Sequence, residues 1–103
     1  MALVPTPLNL NVSPSAKARI LDFIAATGRT DAIAALMIDV EKRWSIGAYY
    51  PENIEGLTPQ FQENGWPLLH LCDGLTMAIP QWNFLPALQG RTLDYTSDGY
   101  VVL

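Results

Sequence analysis

The chain has 103 residues, half of them apolar, with 16% charged residues and a formal net charge of −4. That size and composition indicate one folded domain rather than a disordered segment. Six Lys and Arg against ten Asp and Glu leave no basic surface for nucleic acid or anionic membranes. No apolar run approaches the roughly 20 residues of a membrane span. A single cysteine allows no internal disulfide and fits a reducing cytoplasm.

Residues 1–7 carry Pro5 and Pro7 and no basic region, so they read as an extended arm rather than a signal peptide. Residues 8–103 read as the domain. Leu8-Asn9-Leu10-Asn11-Val12 alternates apolar and polar side chains, the period of a strand. Ser13-Pro14 then supplies a helix N-cap and a first-turn proline. Ile20, Leu21, Phe23 and Ile24 form the apolar stripe of the helix that follows, and Gly28 stops it.

Residues 31–44 carry two patterns at once. Ile33, Leu36, Met37, Val40 and Trp44 keep helical spacing, and the alanines favour a helix. Ala34, Leu36, Ile38 and Val40 share one face of a strand. Trp44 to Tyr50 reads as a strand ended by Pro51. Residues 51–67, with three prolines and two glycines, read as a loop with one helical turn near 59–63. Asp73-Gly74 between Leu68-Leu69-His70-Leu71-Cys72 and Leu75-Thr76-Met77-Ala78-Ile79 is a strong hairpin signal. A short helix over 80–88, closed by Gly90, precedes a last hairpin turning at Ser97-Asp98-Gly99. The expectation is an α+β domain with two helices.

Two segments carry a family resemblance. Val12-Ser13-Pro14-Ser15-Ala16-Lys17-Ala18-Arg19-Ile20 resembles the opening strand and capped helix of the HesB/IscA-like (A-type iron–sulfur carrier) domain. Leu88-Gln89-Gly90-Arg91-Thr92-Leu93-Asp94-Tyr95 resembles that family's Leu-x-Gly-x-x-Ile-Asp-Tyr segment. The resemblance covers most of residues 8–103. It implies a HesB-like mixed or antiparallel β-sandwich with two short helices, and it favours the strand for 31–44. It breaks at the ligands. The family's first cysteine turn corresponds to about residues 42–47, which hold no cysteine, and its Cys-Gly-Cys tail has no counterpart up to Leu103.

The remaining chemistry is sparse. His70 and Cys72, two apart on a strand, share a face. Across a homodimer they would give four donors for a metal ion or iron–sulfur cluster; alone, Cys72 reads as a small core residue. As nucleophile and base they would stand roughly 6–7 Å apart on a flat strand, too far for the bond such a pair needs. Glu52, Glu55 and Glu63 fit no calcium loop, and no serine lies in a Gly-x-Ser-x-Gly context. An enzyme is therefore not expected, and no cofactor is required. Trp44, Tyr49, Tyr50 and Trp66 are the candidate contacts for a protein partner or a second copy, since large aromatics anchor interfaces. The expectation is a non-enzymatic HesB/IscA-like interaction or assembly scaffold; the alternative is a carrier that uses Cys72 with His70.

Overall fold

The computed structural model describes residues 5–103. The strands are β1 (Thr6–Pro7), β2 (Leu10–Val12), β3 (Ile33–Ile38), β4 (Trp44–Tyr49), β5 (Leu69–Cys72), β6 (Leu75–Ala78), β7 (Arg91–Thr96) and β8 (Gly99–Val102). The helices are α1 (Pro14–Ala26), α2 (Pro51–Asn64) and α3 (Leu85–Leu88), with a 3-10 turn at Trp82–Phe84. The domain is α+β. Residues 1–4 of the expected arm lie outside the described residues. No helix among the described residues is long and apolar enough to cross a membrane.

The strands form one mixed sheet in the order β1-β5-β6-β3-β4-β8-β7-β2. Residues 6–12 supply both ends. β1 pairs in parallel with β5, and β2 pairs in parallel with β7. Between them the Leu8 amide donates to the Leu71 carbonyl at 3.0 Å, and the Val12 amide donates to Asp73 Oδ2 at 3.1 Å. A segment that short can reach both edges only if the sheet curls on itself.

The alternation in β2 decides what fills the curl. Leu8, Leu10 and Val12 are buried with Ala34, Leu36, Met77, Ile79 and Leu93, while Asn9 and Asn11 face out. Ala16 and Ile20 of α1 close this core, and Ile24 packs at its edge. Leu21 and Phe23, the rest of the expected stripe, are exposed. The α1 cap behaves as its chemistry dictates: Ser13 Oγ accepts from the Ala16 amide at 3.1 Å. The same hydroxyl donates to Asp94 Oδ1 at 2.5 Å, and this bond holds the Asp94 carboxyl below its ordinary range. The Tyr95 amide adds to the effect. The two segments that carry the family resemblance therefore form one structural unit.

The expected loop at 51–67 is a helix over most of its length. Pro51 takes the first helical position, the Tyr50 amide donates to Asn53 Oδ1 at 2.9 Å, and Gly65 ends the helix at φ 75°. The prolines and glycines thus mark its ends more than they break it. Pro59 does sit inside and removes one backbone bond. Packing compensates: Ile54, Leu57 and Phe61 lie against Ala35, Leu69 and Ala78 on the outer face of the sheet. Glu52, Glu55 and Glu63 accordingly sit on a helix rather than in an acidic loop.

β3 is a strand because helices cover both of its faces. Its even residues meet the α1 core and its odd residues meet α2, so small alanines are needed for close approach. Asp73 (φ 52°) and Gly74 (φ 80°) form the expected β5–β6 turn, with both central residues in the left-handed region.

Candidate functional site

The sheet is thinnest where β4 meets β8. These antiparallel strands share a single residue pair, Trp44 with Tyr100, whereas β4 pairs with β3 along all six of its residues. The direction of the β4 backbone groups follows from Ile38. Its N–H donates to Gln81 Oε1 at 2.6 Å and its carbonyl accepts from Gln81 Nε2 at 3.1 Å. Ile38 therefore faces away from β4, which makes Ile38–Trp44 a non-hydrogen-bonded pair. Alternation then places the backbone groups of Trp44, Ile46 and Ala48 on the β8 side. Tyr100 meets Trp44 there, and among the described residues no strand pairs with 45–49 along that edge.

A groove of about 680 Å³ follows the seam, lined by Trp44, Ile46, Tyr100 and Val102, with Arg43 and Asp98 among its polar residues. An aromatic set fixes its walls. Trp44 meets Phe84 edge-on at 6.3 Å, and Tyr95 meets Tyr100 edge-on at 4.9 Å. The Arg19 guanidinium lies 4.9 Å from the Tyr95 ring centre, an arrangement that favours the cation. Burial raises the Tyr100 phenol above its ordinary range. At the adjoining β3–β4 turn, Asp39 Oδ1 accepts from the Glu41 and Arg43 amides at 2.9 and 3.0 Å.

The four aromatic candidates do not converge on one surface. Trp44 lies at the seam. Tyr49 packs against the α2 cluster on the opposite face. Tyr50 lies under the Arg29 guanidinium at 4.3 Å, and Arg29 also pairs with Asp31 and Glu52, each at 2.8 Å. That network lowers both carboxyls and raises the guanidinium, so Tyr50 joins the start of α2 to the end of α1. Trp66, 41% exposed, stands elsewhere and borders a depression of about 140 Å³ with Phe61 and Leu69. The sequence reading missed Tyr100, whose pairing with Trp44 spans 56 residues; the Asp98-Gly99 turn was its only local sign.

His70 and Cys72 do share a face, but it is an interior one: Cys72 is 0% and His70 2% exposed. Burial pushes the Cys72 thiol up to about 12, whereas a cluster ligand must be a thiolate. His70 Nε2 lies 3.1 Å from the Pro67 carbonyl. A carbonyl only accepts, so Nε2 carries the proton and Nδ1 is bare. Nδ1 is buried with no hydrogen-bond partner among the described residues. Among the described residues no three His, Cys, Asp or Glu side chains gather as a metal-binding group. The pair thus does not suit a cluster shared between copies, because both side chains are buried within the chain and the Cys72 thiol stays protonated.

The bare Nδ1 has a consequence for stability. Burial lowers the His70 pKa, so the unfolded chain takes up a proton first, near its ordinary value of about 6.5. Stability is full above that pH and falls as pH drops through 6.5 towards the folded pKa. The urea midpoint is expected to fall between pH 7.5 and 5.5, and to fall less in His70→Gln; equal declines would contradict this.

Compared with known proteins, the sequence matches no protein-family model and no curated protein.

Proposed function

We propose that the protein is a non-enzymatic interaction module on a HesB/IscA-like scaffold, which engages a protein partner or its own copy along the β4–β8 seam. One observation carries the reading: β4 meets β8 at one residue pair and leaves the rest of its outer edge without a strand neighbour among the described residues. Open edges present unpaired N–H and C=O groups, and natural sheets commonly guard them with charge or proline. Residues 45–49 contain neither. The resemblance supports an assembly-associated role, and the burial of Cys72 favours a scaffold over a carrier.

The test uses full-length protein as bait with chemical cross-linking, comparing wild type with Trp44→Ala and Trp66→Ala after each is shown to fold. The expected result is a reproducible cross-linked partner or self-complex that Trp44→Ala weakens at least about tenfold and Trp66→Ala does not. No complex of either kind, or one indifferent to Trp44, would overturn the proposal. Val101→Glu, in the groove wall, serves if Trp44→Ala does not fold.

A further inference from the structure

We infer that Trp66 marks a second binding site, separate from the β4–β8 seam, whose ligand is a neutral saccharide. Two depressions meet at this residue. One, of about 140 Å³, includes Phe61 and Gln62 of α2. The other, of about 520 Å³, includes Asn83, Leu85, Pro86 and Gln89. The larger has the size of a small-molecule site, and such sites are chiefly apolar with a few placed polar groups.

Trp66 is 41% exposed, yet its backbone is fixed on both sides. Gly65 ends α2 at φ 75°, and the Trp66 N–H donates back to the Phe61 carbonyl at 3.1 Å. That bond closes a Schellman cap. Pro67 follows and restricts Trp66 to extended backbone, and the Pro67 carbonyl accepts from His70 Nε2 at 3.1 Å. Because His70 is buried in β5, this bond ties the exposed turn to the interior of the sheet. An aromatic surface held in place beforehand costs little ordering when a ligand arrives.

The lining selects the ligand. The chain carries ten acidic and six basic residues, but among the described residues none of them lines either depression. The seam, by contrast, has Asp39, Lys42, Arg43 and Asp98 along it. A charged ligand at Trp66 would lose hydration and find no counter-charge. Apart from Thr58, whose hydroxyl donates to the Ile54 carbonyl at 2.6 Å, the polar side chains there are carboxamides. Gln62, Asn83 and Gln89 are all exposed. A carboxamide offers a donor and an acceptor side by side, and a pair of neighbouring sugar hydroxyls offers both as well. A polyproline strand offers acceptors alone and would use one half of each amide. The electropositive C–H face of a pyranose ring suits the negative face of an indole.

The experiment is proton–nitrogen correlation NMR on full-length protein. The probes are cellobiose, maltose, N,N′-diacetylchitobiose and, separately, decaproline, each titrated to about 20 mM. At least one disaccharide is expected to move the Trp66 indole N–H and the side-chain amide signals of Asn83 and Gln89, leaving the Ile46 and Ala48 amides in place. Trp66→Ala is expected to weaken that binding at least about tenfold, and Asn83→Ala about threefold. Asn83 is exposed, so its variant serves if Trp66→Ala does not fold. Shifts from decaproline alone, no shift from any probe, or sugar binding that the folded variants retain in full would overturn the inference. Because Trp66 lies outside the seam groove, none of these results bears on the interaction module.

Discussion

Native protein is expected to react with a chromogenic disulfide reagent at pH 8 more than about a thousandfold more slowly than the urea-unfolded chain. Only the thiolate attacks, and a thiol moved from near 8.5 to about 12 loses roughly three orders of magnitude of thiolate at that pH. Access adds to the effect, since Cys72 is 0% exposed beneath Leu10, Val12 and α1. A native rate within about tenfold of the unfolded rate would contradict the burial and restore Cys72 as a candidate ligand. The same burial guides interpretation of iron and sulfide reconstitution. Cys72→Ser places a hydroxyl in an apolar core at a cost of about 1–3 kcal/mol, so lost metal in that variant would not by itself identify a ligand. Cys72→Ala is the cleaner comparison.

Replacing Leu10 with alanine is expected to lower the unfolding free energy by about 2–5 kcal/mol, the usual cost of emptying a well-packed leucine site. Leu10 is 1% exposed and lies in the segment that joins the two ends of the sheet, so neighbours held from both ends cannot easily collapse into the space. The neighbouring Asn11→Ala, on the outward face of the same strand, is expected to change stability by no more than about 0.5 kcal/mol. Urea unfolding of the three proteins checks both. A loss below about 1 kcal/mol for Leu10→Ala would mean that residues 6–12 lie on a sheet already closed without them.

Features decided by neighbouring residues were legible in the sequence. Ser13-Pro14 starts α1, Gly28 follows its end at φ 73°, and Asp73-Gly74 turns β5 into β6, because a cap or a left-handed turn needs only local chemistry. β3 was not legible from its own residues: its alanines favour a helix, and the strand follows from packing on both faces. α2 was misread because Pro51 and Gly65 were weighed as breakers, while the spacing of Ile54, Leu57 and Phe61 was passed over. The shared face of His70 and Cys72 followed from strand period alone. That this face is interior depends on residues 6–12 and α1, far off in sequence. The seam was least legible, because an edge is defined by which strand fails to arrive.

Amide hydrogen exchange along β4, followed residue by residue by NMR at low and high protein concentration, tests the open edge most directly. In dilute protein the Ser45, Gly47 and Tyr49 amides, which face β3, are expected to exchange slowly, and the Ile46 and Ala48 amides quickly. With a partner or a second copy bound at the seam, Ile46 and Ala48 are expected to become protected together. Slow exchange at both residues in dilute monomer would show the edge already covered within the chain and contradict the account.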